Sequence, residues 1–118
     1  MRNRTRLLAA GLAVVAFAAP ALAHTYLTDA TPAPGAHVAT SPAELVMHFT
    51  GALEPTFSSI VVTDEKEHVV DAGPSVADGT TMRVPLKPLV AGHYEVTWRA
   101  VSIDTHMSEG KYDFVVGP

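Results

Sequence analysis

The clearest structural signal in the chain is the sequence HYEVTWRAVSI, which spans residues 93–103. Apolar and polar residues alternate over most of this stretch, and the apolar positions are Tyr94, Val96, Trp98 and Ala100. Successive side chains of a β-strand point to opposite faces of the sheet, so the alternation predicts a strand with one buried and one solvated face. Such strands are typical of antiparallel sheets.

Similar short runs rich in valine, threonine, phenylalanine and tyrosine occur elsewhere in the chain, separated by proline, glycine and aspartate. This arrangement is typical of strands joined by turns, and helical signals are nearly absent. We expect an all-β fold of about seven antiparallel strands, forming either a two-sheet sandwich or a barrel. The predicted strands cover residues 44–50, 57–63, 80–85, 93–103 and 111–116, with weaker candidates at 25–29 and 68–70.

The first 23 residues have the pattern of a secretory signal peptide. Three arginines precede an apolar run at residues 7–18, and Ala21-Leu22-Ala23 places small residues where a signal peptidase recognises them. The run is shorter than the roughly 20 apolar residues that a membrane-spanning helix requires. We therefore expect cleavage after Ala23 and export of a domain, residues 24–118, that does not span a membrane.

The predicted mature domain is acidic and contains no cysteine. Three of the eight basic residues and none of the twelve acidic ones lie in the leader, so its formal charge is −7. This charge argues against nucleic acid or anionic lipid as a partner and is compatible with binding cations. The absence of cysteine excludes disulfides and zinc–cysteine sites.

Cleavage after Ala23 would make His24 the first residue, with its α-amine and imidazole close together. The unperturbed pKa of an α-amine is about 7.7–8.0, so a metal ion can displace its proton near neutrality. Two nitrogen donors in one plane favour Cu(II) or Ni(II), and Cu(II) binds more strongly. The alternative is that a histidine follows the cleavage site by chance.

A second pair of donors lies in the sequence SIDTH, where one residue separates Asp104 from His106. On an extended backbone both side chains would point to the same side. With the His24 chelate they would complete a square of three nitrogens and one oxygen. The alternative is a turn aspartate bonded to its own backbone beside an exposed histidine.

From His24 to the C-terminus the chain resembles the CopC family of periplasmic copper-binding proteins. The resemblance implies an immunoglobulin-like Greek-key β-sandwich or barrel that binds one Cu(II) per chain. It also implies that His24, Asp104 and His106 are the ligands. The matching segments are HTYL at 24–27, LVMHFT at 45–50, PLVAGHYEV at 88–96 and, most specifically, WRAVSIDTH at 98–106.

His48 falls where some members of the family also have a histidine, so we expect it beside the ligands rather than among them. Some members place a glutamate near the copper where this chain has Gly51, and we do not expect Glu54 to replace it. Arg99 lies on the polar face of its strand, where it could pair with an acid near the site.

Some members also carry a methionine-rich loop that binds Cu(I), whereas residues 64–76 of this chain contain no methionine. We expect Met47, Met82 and Met107 to be packing residues and expect no Cu(I) methionine site.

These features predict a periplasmic, monomeric copper carrier or buffer in copper homeostasis or resistance, without enzymatic activity. Its partner would be an inner-membrane copper importer or a cuproenzyme. Two alternatives remain. An N-terminal histidine with a second histidine is also the copper brace of lytic polysaccharide monooxygenases, although Asp104 would occupy the position that those enzymes keep open. The chain could also be a β-sandwich interaction module that binds no metal.

Overall fold

The computed structural model describes residues 25–118, which contain eight β-strands and no α-helix. Their residues are those expected of strands, because β-branched and apolar side chains alternate with polar ones between proline- and glycine-containing turns. The strands are β1 (Leu27–Thr31), β2 (His37–Val38), β3 (Glu44–Phe49), β4 (Ser59–Thr63), β5 (Val76–Asp78), β6 (Thr81–Pro85), β7 (Gly92–Val101) and β8 (Met107–Val116).

The strands form two four-stranded sheets, with the orders β1-β3-β6-β5 and β2-β8-β7-β4. All named pairs are antiparallel except β2 with β8, which is parallel. The chain passes from one sheet to the other except at the hairpins β5–β6 and β7–β8. The predicted all-β fold is therefore confirmed, and of the two architectures the molecule adopts the two-sheet, Greek-key sandwich.

Each of the five clearest predicted strands corresponds to a strand of the structure. The last one begins earlier than predicted, at Met107, because β8 stays paired with β7 as far as Val101. The weak candidate at 68–70 forms only an isolated bridge between Val69 and Thr63. Strands β2 and β5 were not predicted, since two or three residues are too few to show alternation.

The inner faces of the two sheets form the core, as the alternation predicts. Each apolar side chain buried there stabilises the fold by about 1.5–3 kcal/mol. Met47 and Met82 are fully buried, which confirms them as packing residues, but Met107 is 50% exposed at the start of β8, so the same prediction is wrong there. The fully buried side chains are Leu45, Met47, Val62, Met82, Val84, Val96 and Phe114.

Trp98 packs against the end of this core, where β7 approaches the loop that follows it. Its ring meets that of Phe49 edge-on, with the ring centroids 5.5 Å apart. Gly110 is its partner residue on β8, and a Cβ atom at Gly110 would lie 2.8 Å from Trp98 Cζ2. The glycine therefore leaves the space that the indole fills.

Replacing Gly110 with alanine should push the indole out of this position. We expect Gly110→Ala to lower the free energy of unfolding by about 1–3 kcal/mol, the usual effect of overpacking. Urea unfolding followed by the fluorescence of Trp98, the single tryptophan of the chain, measures it. Gly73→Ala is the control, because its Cβ would make only an ordinary 3.5 Å contact with Pro85. Equal stability of Gly110→Ala and the wild type would contradict this role of the glycine.

Candidate metal centre

Residues 102–106 connect β7 to β8 in a tight turn that brings Asp104 and His106 together. The Ser102 N–H donates to the His106 carbonyl at 2.9 Å, and the Thr105 N–H donates to the Ser102 carbonyl at 2.8 Å. Thr105 has a φ of 74°, which lies in the left-handed region. The prediction of an extended backbone between Asp104 and His106 is therefore wrong. The two side chains nevertheless meet, with Asp104 Oδ1 3.2 Å from His106 Nδ1.

The Ser102 side chain lies underneath this turn and is 5% exposed. Its hydroxyl donates a hydrogen bond to Asp104 Oδ1 and lies 3.2 Å from both the backbone nitrogen and the backbone oxygen of His106. Asp104 Oδ1 also lies 3.4 Å from the His106 nitrogen. An aspartate in a turn typically bonds to the backbone two residues on, as Asp104 does here. The alternative interpretation of Asp104 as a turn residue is therefore compatible with its contact with the His106 side chain.

The hydrogen bond from Ser102 is the main reason why the pKa of Asp104 is below its ordinary value. Desolvation acts in the opposite direction, and hydrogen bonds with His106 and its charge lower the pKa further. Asp104 is therefore a carboxylate near neutrality. The side chains of Asp104 and His106 are 45% and 50% exposed, so an ion from solvent can reach both.

The first described residues of the chain are fixed next to this turn. Thr25 is 4% exposed, and its carbonyl accepts a 2.9 Å hydrogen bond from the hydroxyl of Ser108. Tyr26 and Thr50 exchange two further bonds, since each backbone N–H donates to the other residue, at 2.9 Å. Ser108 lies two residues after His106, so the start of the described chain lies beside the turn that carries Asp104 and His106.

Gly51 makes room for this N-terminal segment. A Cβ atom at Gly51 would lie 2.9 Å from Thr25 Oγ1, so a larger residue would displace the buried threonine. A cleft of about 450 Å³ borders both Gly51 and Asp104. Glu54 bonds within its own loop, where its carboxylate lies 3.4 Å from the Thr56 nitrogen.

The remaining histidines and Arg99 lie on other strands and loops of the sandwich. His48 is exposed on β3, and its Nδ1 lies 3.2 Å from Thr81 Oγ1; its expected position beside the metal stays a prediction. Among residues 25–118, Arg99 forms no ion pair with an acidic side chain. His37, His68 and His93 lie on the surface, and His37 contacts the carbonyl of Gly117.

Within residues 25–118, no three histidine, cysteine, aspartate or glutamate side chains converge to hold a metal ion. Asp104 and His106 supply one oxygen and one nitrogen, a donor set that suits Cu(II). His24 and the predicted signal peptide lie outside the described residues, so the His24 ligand stays a prediction.

Sequence reasoning missed Ser102, Ser108 and Thr25. The only signal in the sequence was that the two serines flank the D-x-H segment at a spacing of two residues. Their contacts depend on folding, since Thr25 and Ser108 are 83 residues apart in the chain.

Comparison with known proteins identifies the family. The family model of the CopC domain matches residues 27–117. The chain is 40% identical to copper resistance protein C of Pseudomonas syringae pv. tomato, over 97% of each sequence. The crystal structure of CopC from Methylosinus trichosporium OB3b superimposes with a TM-score of 0.75 at 35% identity, covering 80% of this chain and 95% of that one.

A second solved structure is that of PcoC from Escherichia coli, a methionine-rich copper resistance protein. It matches with a TM-score of 0.68 at 36% identity, covering 80% of this chain and 99% of that one. The relatives from Pseudomonas syringae and Escherichia coli are named for copper resistance and not for a catalytic activity. The agreement of family model, sequence and fold over nearly all the described residues shows that the chain belongs to the CopC family.

Proposed function

We propose that this protein is a periplasmic copper carrier or buffer that binds one Cu(II) through His24, Asp104 and His106. The single observation that carries the proposal is the pairing of Asp104 with His106, 3.2 Å apart and open to solvent, beside the anchored Thr25. The names of the relatives support copper as the ion.

The anchoring of Thr25 supports His24 as the third residue of the site. Ser108 holds the carbonyl of Thr25. His24 directly precedes Thr25, and consecutive Cα atoms are about 3.8 Å apart, so His24 cannot lie far from the turn. Once the leader is removed, its α-amine and imidazole add two nitrogens to the nitrogen of His106 and the oxygen of Asp104.

Three nitrogens and one oxygen suit Cu(II) better than Cu(I), which prefers soft sulfur ligands. In the described part of the chain, two of the three methionines are fully buried in the core, and only the third, Met107, is exposed to solvent. We therefore propose no Cu(I) methionine site. Reduction of the bound ion would weaken its binding and provide a route for release.

The carrier role is favoured over the copper-brace alternative by the position of Asp104. A carboxylate fixed next to His106 would complete four equatorial donors and leave no open position for oxygen activation. The interaction-module alternative makes a different prediction: removing the His106 side chain should leave the metal affinity unchanged.

The proposed location follows from the predicted signal peptide, and the proposed partner is an inner-membrane importer or a cuproenzyme that exchanges copper with a monomeric carrier. In the part of the chain that the structure describes, no helix is long and apolar enough to cross a membrane.

Removing the His106 imidazole tests the ligand set. We expect His106→Ala to weaken Cu(II) binding by more than about 100-fold, because losing a ligand should cost more than losing an outer-shell partner. Competitive titration against a chromophoric chelator, with protein that begins at His24, measures the affinity. The control is His93→Ala, an exposed histidine at the other end of β7, which should bind as the wild type does. Equal affinities of His106→Ala and the wild type would favour the interaction module.

The dependence of Cu(II) binding on pH separates nitrogen from carboxylate ligands. An α-amine and an imidazole bind a metal ion only after losing a proton, and their unperturbed pKa values are about 7.7–8.0 and 6.5, so protons compete with Cu(II) for nitrogen ligands in acid. The pKa of Asp104 is lowered from 3.8, so its carboxylate stays ionised there. The logarithm of the apparent affinity should therefore fall as the pH is lowered from 6 to 4.5, by up to about three for each pH unit, one for each nitrogen ligand. A slope near zero in competitive titrations across this range would rule out the nitrogen ligands.

A further inference from the structure

The hydroxyl of Ser102 contacts both halves of the D-x-H segment. It donates to Asp104 Oδ1, and it lies 3.2 Å from the His106 nitrogen, whose N–H donates to it. A serine hydroxyl has one proton to donate and two lone pairs that accept. One buried side chain therefore links the carboxylate to the backbone of the histidine.

Hydrogen bonds of its own backbone hold Ser102 in place. Its backbone bonds to His106 and Thr105 within the turn, at 2.9 and 2.8 Å. It also forms an isolated antiparallel bridge with Leu53 in the loop that follows β3, which holds its backbone from a second side. The side chains that it contacts are, by contrast, about half exposed.

The contacts of Asp104 distinguish its two oxygens. Oδ1 receives the Ser102 hydroxyl and lies 3.4 Å from the His106 nitrogen and 3.2 Å from His106 Nδ1. Within residues 25–118, Oδ2 has no hydrogen-bond partner. The carboxylate is thus held through one oxygen and presents the other.

We propose that Ser102 is the positioning residue of the Cu(II) centre: its hydroxyl holds Asp104 through Oδ1, so that Oδ2 is the ligand oxygen, in place before the ion arrives. The inference rests on the proposed function. Without the hydroxyl, the exposed carboxylate would sample several rotamers, and ordering it would count against copper binding.

The test compares Ser102→Ala with the wild type in competitive Cu(II) titration. Loss of an outer-shell partner typically lowers metal affinity by about 10- to 100-fold, and we expect a fall in that range. The electron paramagnetic resonance spectrum of the bound Cu(II) should also change, because the oxygen ligand is no longer fixed in one orientation. Ser102→Thr retains the hydroxyl and should restore both the affinity and the spectrum.

Ser58→Ala is the matched control for a merely structural effect. Ser58 is 6% exposed, close to the burial of Ser102, and its hydroxyl also bonds to a neighbouring strand, at Val101 N and O. It contacts neither Asp104 nor His106. Ser58→Ala should therefore bind Cu(II) with wild-type affinity, whatever its effect on thermal unfolding.

A measurement on the metal-free wild type needs no variant. The proton couplings of the Asp104 side chain, measured by NMR, should report one χ1 rotamer. Averaged couplings would overturn the inference, as would wild-type affinity and spectrum in Ser102→Ala, or an equal loss of affinity in Ser58→Ala. Failure of the wild type to bind Cu(II) would overturn the proposed function itself, whereas wild-type binding by Ser102→Ala would overturn only the role of Ser102.

Discussion

The pairing of β7 with β8 is the constraint on which the rest of the structure depends. Its register runs from Gly92 opposite Val116 to Val101 opposite Met107, and it leaves residues 102–106 as the connecting turn. A shift of one residue would exchange the buried and exposed faces of a strand. The same register places Gly110 opposite Trp98 and positions Ser108 to bond with Thr25.

The candidate metal centre lies where the ends of strands meet a short turn and the N-terminal segment. The strands end at fixed positions, and two serine hydroxyls connect those ends to the groups around the site: Ser102 to the D-x-H turn and Ser108 to the N-terminal segment. In the proposed function, removal of the leader creates the α-amine ligand next to a turn that is already ordered. If so, processing and copper binding would be coupled, since an uncleaved chain would lack that amine.

The sequence predicted the parts of the fold whose signals are local. Alternation in β3 and β7 indicated both strands and their buried faces, and the D-x-H spacing indicated a pair of neighbouring donors. The left-handed turn at Thr105 brings them together, which the spacing did not show. Strands β2 and β5 are too short for a pattern, and the contact between Ser108 and Thr25 joins distant segments. The family resemblance, confirmed by the comparisons, supplied the Greek-key topology.

The most direct test of the account is a competitive Cu(II) titration of the protein that begins at His24, beside a matched protein with one extra glycine before His24. The account predicts one Cu(II) per chain for the first protein. The extension should weaken binding by at least about 100-fold, because it removes the α-amine from the first residue's chelate. Equal binding by the two proteins would show that the α-amine is not a ligand and would contradict the proposed centre.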